Sequence, residues 1–139
     1  MKSGFELLPH TADIGITASG KDMAEAFANA ARGMFSIIAN PDEIAASVQI
    51  PVSVKAPDRE SLLVNWLNEL NFISQTRFLL FRDFVVHSIS NASIEATDLG
   101  EKIDPAKHHL KREIKAVTYH DLQVAETADG WHIRVIFDI

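Results

Sequence analysis

Trp131-His132-Ile133-Arg134-Val135-Ile136-Phe137-Asp138-Ile139 closes the chain. Apolar residues fall at 131, 133, 135, 137 and 139, the period-two alternation of a strand with one buried face. Ala128-Asp129-Gly130 stands just before it, and an Asp-Gly pair between two alternating runs fits a tight hairpin. The end of the chain therefore reads as one arm of a hairpin, tied into a sheet to its last residue. Held that way, the terminal carboxylate is a fixed anion one residue from the Asp138 carboxylate. Two placed carboxylates with no basic neighbour need a proton, a cation or water. This end is read as half of a metal site, with the other half upstream.

Working outward, the partner strand of the hairpin spans about 113–125. Strands at about 78–88 and 90–98 precede it and read as antiparallel neighbours. Between them and 113, the polar stretch 99–112 reads as a surface loop, a place where partner contacts often sit. The first half opens with a strand at about 4–8, a turn at 9–13 and a strand near 14–18. A helix at about 21–38 follows, with Ser19 or Asp22 as its cap and Met23, Ala26, Phe27, Ala30, Met34, Ile37 and Ile38 at helical spacing. Residues 47–55 alternate as a strand. A second helix covers about 58–75, its buried side formed by Leu62, Leu63, Trp66, Leu67, Leu70 and Phe72-Ile73. The order β-β-α-β-α-β-β-β-β predicts an α+β fold, one domain over 1–139, with two helices on one side of a largely antiparallel sheet.

Composition narrows the function classes. The chain has 139 residues, 47% hydrophobic, enough for one core. Its formal charge of −6 argues against direct nucleic-acid binding through phosphates, which needs Lys and Arg, and leaves a basic protein partner open. With no cysteine there is no disulfide, thiolate zinc site or cysteine nucleophile. No apolar run approaches the ~18 residues of a membrane span, and no signal-peptide core opens the chain, so a cytoplasmic protein without membrane contact is expected. There is no glycine-rich phosphate loop, zincin motif or nucleophile elbow.

Three constellations carry possible chemistry. His10-Thr11-Ala12-Asp13-Ile14-Gly15 can offer oxygens to a cation, or Asp13 and Thr11 can simply bond turn amides. Lys115-Ala116-Val117-Thr118-Tyr119-His120 can bind an anion or shuttle a proton. It also reads as a solvent-facing Lys-Tyr pair with a hydrogen-bonded core His120. The third is Asp138 with the Ile139 carboxylate. His108-His109 is read as a solvated pair beside Lys107 and Lys111. His87 and His132 carry no signal.

These three segments, in that order and ending on Phe137-Asp138-Ile139, resemble the archease family across essentially the whole chain. Leu62-Leu63-Val64-Asn65-Trp66-Leu67-Asn68-Glu69-Leu70 and Gly100-Glu101-Lys102-Ile103-Asp104 fit it too. The resemblance implies a small non-catalytic activator of an RtcB-type RNA ligase in tRNA splicing and RNA repair. That ligase works through a guanylylated histidine, using GTP and manganese. The activator promotes guanylylation and repeated turnover. The resemblance also implies a divalent-ion site, calcium or another hard ion, on Asp13, Asp138 and Ile139. His10, Lys115 and His120 become candidate functional or ligase-contact residues. Three carboxylates are hard donors suited to such ions. Alternative functions are a chaperone, a modulator of a tRNA methyltransferase, or a metal-dependent hydrolase with His120 as base. A chaperone should expose an apolar patch, and no spare apolar stripe shows in the sequence.

Overall fold

A computed structural model describes residues 3–9 and 13–139, with only the backbone of Pro9. Seven strands and two helices follow the expected order. They are β1 (Gly4–Pro9), β2 (Asp13–Gly20), α1 (Met23–Ile38), β3 (Val48–Lys55), α2 (Arg59–Arg77), β4 (Leu79–Ile89), β5 (Ser93–Lys102), β6 (Ala116–Thr127) and β7 (Gly130–Asp138). All pairings are antiparallel, and the strands divide between two sheets. One has the order β1-β2-β7-β6, the other β3-β5-β4. Both helices touch strands of both sheets, so the core is shared rather than stacked on one continuous sheet.

The helices start where side-chain chemistry sets them. Asp22 accepts the Glu25 amide at 2.8 Å and Asp58 accepts the Ser61 amide at 2.7 Å, each satisfying one of the donors a helix N-terminus leaves open. Of the two cap candidates for α1, Asp22 serves. The helices meet through the Trp66 indole, which is fully buried and donates to the Phe27 carbonyl at 3.1 Å. α2 runs two residues past its expected end and stops at Phe78, which adopts the left-handed conformation (φ 55°) and is 65% exposed. Phe72 also points outward, contrary to its place in the predicted buried side.

The polar stretch after residue 98 is not all loop. β5 continues to Lys102, paired in register with Leu79. Gly100 makes that pairing possible: a Cβ there would lie 1.9 Å from the Leu80 carbonyl oxygen. Only residues 103–115 form the connection, and β6 begins at Ala116 rather than 113. His108 is not solvated but buried. Its Nδ1 accepts the Asp104 amide at 2.9 Å, which puts the proton on Nε2 facing Glu101 Oε2 at 3.1 Å. Glu101 also accepts from the Ala45 amide and Lys107 Nζ, and these bonds hold its carboxyl down to about 2. The connection is thus clamped from inside.

Among the described residues Asp98 is the one Asp, Glu, Lys or Arg residue at 0% exposure. It lies on β5 between Ile50 and Phe84, and neither carboxylate oxygen has a hydrogen-bond partner. Desolvation pushes its pKa from 3.8 up to about 8. A raised folded-state value means that the native state holds the proton more tightly than the unfolded chain. Stability is then full below pH 4 and falls as pH climbs toward 8, by at most about 1.4 kcal/mol per pH unit. Urea unfolding should show the protein losing stability between pH 5 and pH 8, and Asp98→Asn flattening that slope. Equal stability of the parent protein at both pH values would contradict this.

Candidate metal centre

β7 is an inner strand, paired to β2 on one side and β6 on the other. Its register sets Asp138 opposite Asp13 on β2 and opposite Ala116 on β6. Cross-strand partners in an antiparallel pair project from the same face, with Cβ atoms about 4.5–5.5 Å apart. The two carboxylates therefore share one face and one row. Like charges directly opposite each other are destabilising unless something neutralises them. Asp13 Oδ1 is also buried without a hydrogen-bond partner among the described residues. A buried carboxylate oxygen without a donor calls for a cation or water. That orphaned oxygen fits a hard divalent ion. Ile139 packs its side chain against the core, which anchors the residue that follows Asp138. Among the described residues no cluster of three or more His, Cys, Asp or Glu side chains could hold a metal. The acidic pair supplies two such side chains.

The start of β6 is fixed to this row from two directions. The Lys115 amide donates to the Asp138 carbonyl at 2.8 Å, and the Val117 amide donates to Asn68 Oδ1 on α2 at 3.2 Å. Asn71 Nδ2 holds the Ile114 carbonyl at 2.9 Å. The Lys115 residue is exposed. Further along, β6 departs from β7. Thr118 pairs with Ile136 and Gln123 with Arg134, so residues 119–122 stand opposite Val135 alone. This wide bulge takes its turn at Asp121 (φ 50°). It breaks the predicted alternation of faces. Tyr119 is 58% exposed although Val117, two residues earlier, is buried. His120 is an exposed residue with Nε2 at 3.5 Å from Asp121 Oδ2, not a core histidine. Asp121 is the residue that sequence reasoning missed here; no turn signal other than Asp itself marks the bulge. His10 lies outside the described residues.

Residues 5–139 match the model of the archease protein family (MTH1598/TM1083). The chain is 43% identical over 139 residues to protein archease of Methanosarcina barkeri, covering 97% of this chain and 95% of that one. To protein archease of Pyrococcus abyssi it is 40% identical, covering 97% and 98%. The solution structure of Methanobacterium thermoautotrophicum protein 1598 superposes with a TM-score of 0.84 at 37% identity, covering 98% of this chain and 99% of that one. A Thermotoga maritima archease, described as a possible chaperone, shares the fold at a TM-score of 0.63 and 20% identity, covering 95% and 94%.

The acidic row makes a two-sided prediction. In a chelator, Asp138→Asn should raise the melting temperature slightly, because it removes a like-charge pair worth about 0.2–1 kcal/mol. In calcium the order should reverse, since an ion at a hundred times its Kd stabilises the parent protein by about 2.7 kcal/mol and the variant by little. Equal calcium-induced shifts in the two proteins would remove the ion from this site.

Proposed function

This chain belongs to the archease family, and on that footing we propose that it is a non-catalytic activator of an RtcB-type RNA ligase in tRNA splicing and RNA repair. The reading extends to a resident calcium or similar hard ion on Asp13, Asp138 and the carboxylate of Ile139. One observation carries it: Asp13 and Asp138 are register partners, and the buried Asp13 Oδ1 has no hydrogen-bond partner among the described residues. When bound, the ion would neutralise the facing carboxylates and tie β7 to β2 at their shared end. Lys115, tied by its backbone to Asp138, and His120, on the β6 bulge, then offer exposed side chains from set backbone positions to the ligase. A net charge of −6 suits a ligase groove made basic for RNA and GTP. The ligase keeps the guanylylation chemistry. This protein contributes a shaped surface.

A hydrolase reading has weaker support. It needs a base near the ion and a pocket around both. His120 and the carboxylates are present, but among the described residues neither Asp13 nor Asp138 lines any of four cavities on the molecule. The chaperone reading has a specific observation in its favour. Phe78 and the 57% exposed Leu110 line a cavity of about 280 Å³ with Ile38, Leu80 and Ile103. That apolar surface exists because Phe78 caps α2 instead of entering β4. Suppressed aggregation of several unrelated clients would favour this second role.

The test is formation of guanylylated ligase with sub-stoichiometric amounts of this protein. The parent protein should accelerate it. Asp13→Ala and Asp138→Ala should lose most of that effect, and one glycine added after Ile139 should weaken calcium binding and stimulation together. Full stimulation by all three would defeat the proposal.

A further inference from the structure

Phe78 stands where a helix commonly ends on glycine. It closes α2 in the left-handed conformation (φ 55°, ψ 51°), which a bulky side chain rarely adopts. Burial gives little in return, since the residue is 65% exposed. A strained residue that also leaves apolar surface in water points to a use outside the fold. Phe78 borders a groove of about 280 Å³ between the C-terminal ends of α1 and α2 and the 103–115 connection. Ile38, Leu80, Ile103, Leu110 and Ile114 supply its apolar wall, and Leu110 is 57% exposed. The neutral polar groups of the wall are already used. Asn71 Nδ2 and Gln75 Nε2 both donate to the Ile114 carbonyl, at 2.9 and 3.0 Å, and Ser74 Oγ donates to the Leu79 carbonyl at 2.5 Å. What remains is charge. Lys111 and Arg112 line the groove, both exposed, against one carboxylate, Glu113. Lys111 Nζ donates to the Ser36 carbonyl at 3.1 Å, a neutral partner that does not cancel its charge. Arg112 makes no ion pair among the described residues. The groove is thus locally basic in a chain of net charge −6.

We infer that this groove docks a segment of a partner protein in which apolar side chains are flanked by carboxylates. The volume and the wall select the apolar part. At about 280 Å³ the groove falls below the usual ~300–1,000 Å³ of a cofactor or drug-sized pocket, yet it has room for apolar side chains. A nucleotide or sugar would find few partners, because the amide and hydroxyl donors of the wall are spent on main-chain carbonyls. An apolar side chain needs none, and it would cover Phe78 and Leu110. The cations select the flanking part. The Arg112 guanidinium keeps its charge and can take a carboxylate through two parallel hydrogen bonds, while Lys111 acts as a point charge. This selection runs against the protein's overall field, which favours a basic guest. It also separates the groove from a surface that holds any unfolded client, for which the sign of the flanking charge would not matter. The inference stands apart from the ligase and the ion, since neither Asp13 nor Asp138 lines the groove.

The test is an NMR titration of the full chain, labelled with nitrogen-15, with three capped peptides. They are Glu-Leu-Glu-Leu-Glu, its basic counterpart Lys-Leu-Lys-Leu-Lys, and Glu-Ser-Glu-Ser-Glu, which keeps the charge and lacks the apolar groups. The first should shift the backbone amides of Ile103, Leu110 and Arg112 together and bind about tenfold more tightly than either control. Equal or tighter binding of the basic peptide would overturn the inference, as would equal binding of the serine peptide or shifts that miss the groove. Movement of the same amides on dilution of the protein alone would assign the groove to a second copy of this chain and overturn it too. Two variants then separate docking from folding. Phe78→Gly accepts the left-handed backbone without strain, so spectra away from the groove should match the parent while affinity for the first peptide falls about fivefold. Arg112→Glu changes an exposed residue and should turn the preference towards the basic peptide, a reversal that a purely structural arginine would not produce. Unchanged peptide preference in Arg112→Glu, or parent-like affinity in Phe78→Gly, would defeat the proposal.

Discussion

The register of β7 against β2 is the constraint on which the molecule's chemistry depends. Side chains alternate with a period of two, so a slip of one residue would exchange the faces of the strand. Phe137, Val135 and Ile133, all buried, would turn to solvent, and Asp138 would turn into the core. Each of these apolar side chains is worth roughly 1.5–3 kcal/mol of burial. The core therefore holds the register, and the register holds Asp138 opposite Asp13. The repulsion between the carboxylates is small by comparison. A site with unfavourable electrostatics is kept in place by packing one residue away.

α2 extends the same logic to β6. Its apolar side is sunk in the core at Leu62, Leu63, Trp66, Leu67 and Leu70. That leaves Asn68 and Asn71 at the interface, where they bond the backbone on either side of Lys115. Lys115 is therefore placed by main-chain bonds from the core helix and from Asp138, not by its own side chain. Such an arrangement leaves a long cationic side chain free to meet a partner while its root stays fixed. The bulge at 119–122 does the same for His120 by another route. Extra residues cannot fit the ladder, so they leave it, and their side chains project.

What was legible in the sequence has a common physical character. Alternation in 131–139, the Asp-Gly turn, the helical spacing after Asp22 and the start of the second helix near 58 are local signals, decided within a few residues. Asp13 and Asp138 were legible as candidates through the same strand pattern and through the family resemblance. What was not legible depends on residues far apart. His108 is buried because Glu101 and the Asp104 amide satisfy both ring nitrogens, and nothing at positions 107–111 announces it. β5 runs past residue 98 because Gly100 lets it close on Leu80. Phe72 and Phe78 match a buried pattern but end outside it, since α2 continues to a left-handed cap. The division of the strands into two sheets is likewise a matter of pairing, not of any single strand.

Three buried polar atoms or groups without partners remain among the described residues: Asp13 Oδ1, the Asp98 carboxylate and Arg134 Nε. They are not equivalent. Asp98 is enclosed by Ile50 and Phe84 in the core, and a proton relieves it, which is why its pKa climbs. Arg134 has no such escape, since its proton does not leave. Asp13 sits in a row with a second carboxylate, so its unsatisfied oxygen lies beside further negative charge instead of in an apolar core. For Asp13 the proposed relief is a hard cation shared with Asp138. On that reading, an unsatisfied carboxylate facing a second one is a site awaiting its ion, and not a defect in an otherwise well-satisfied fold.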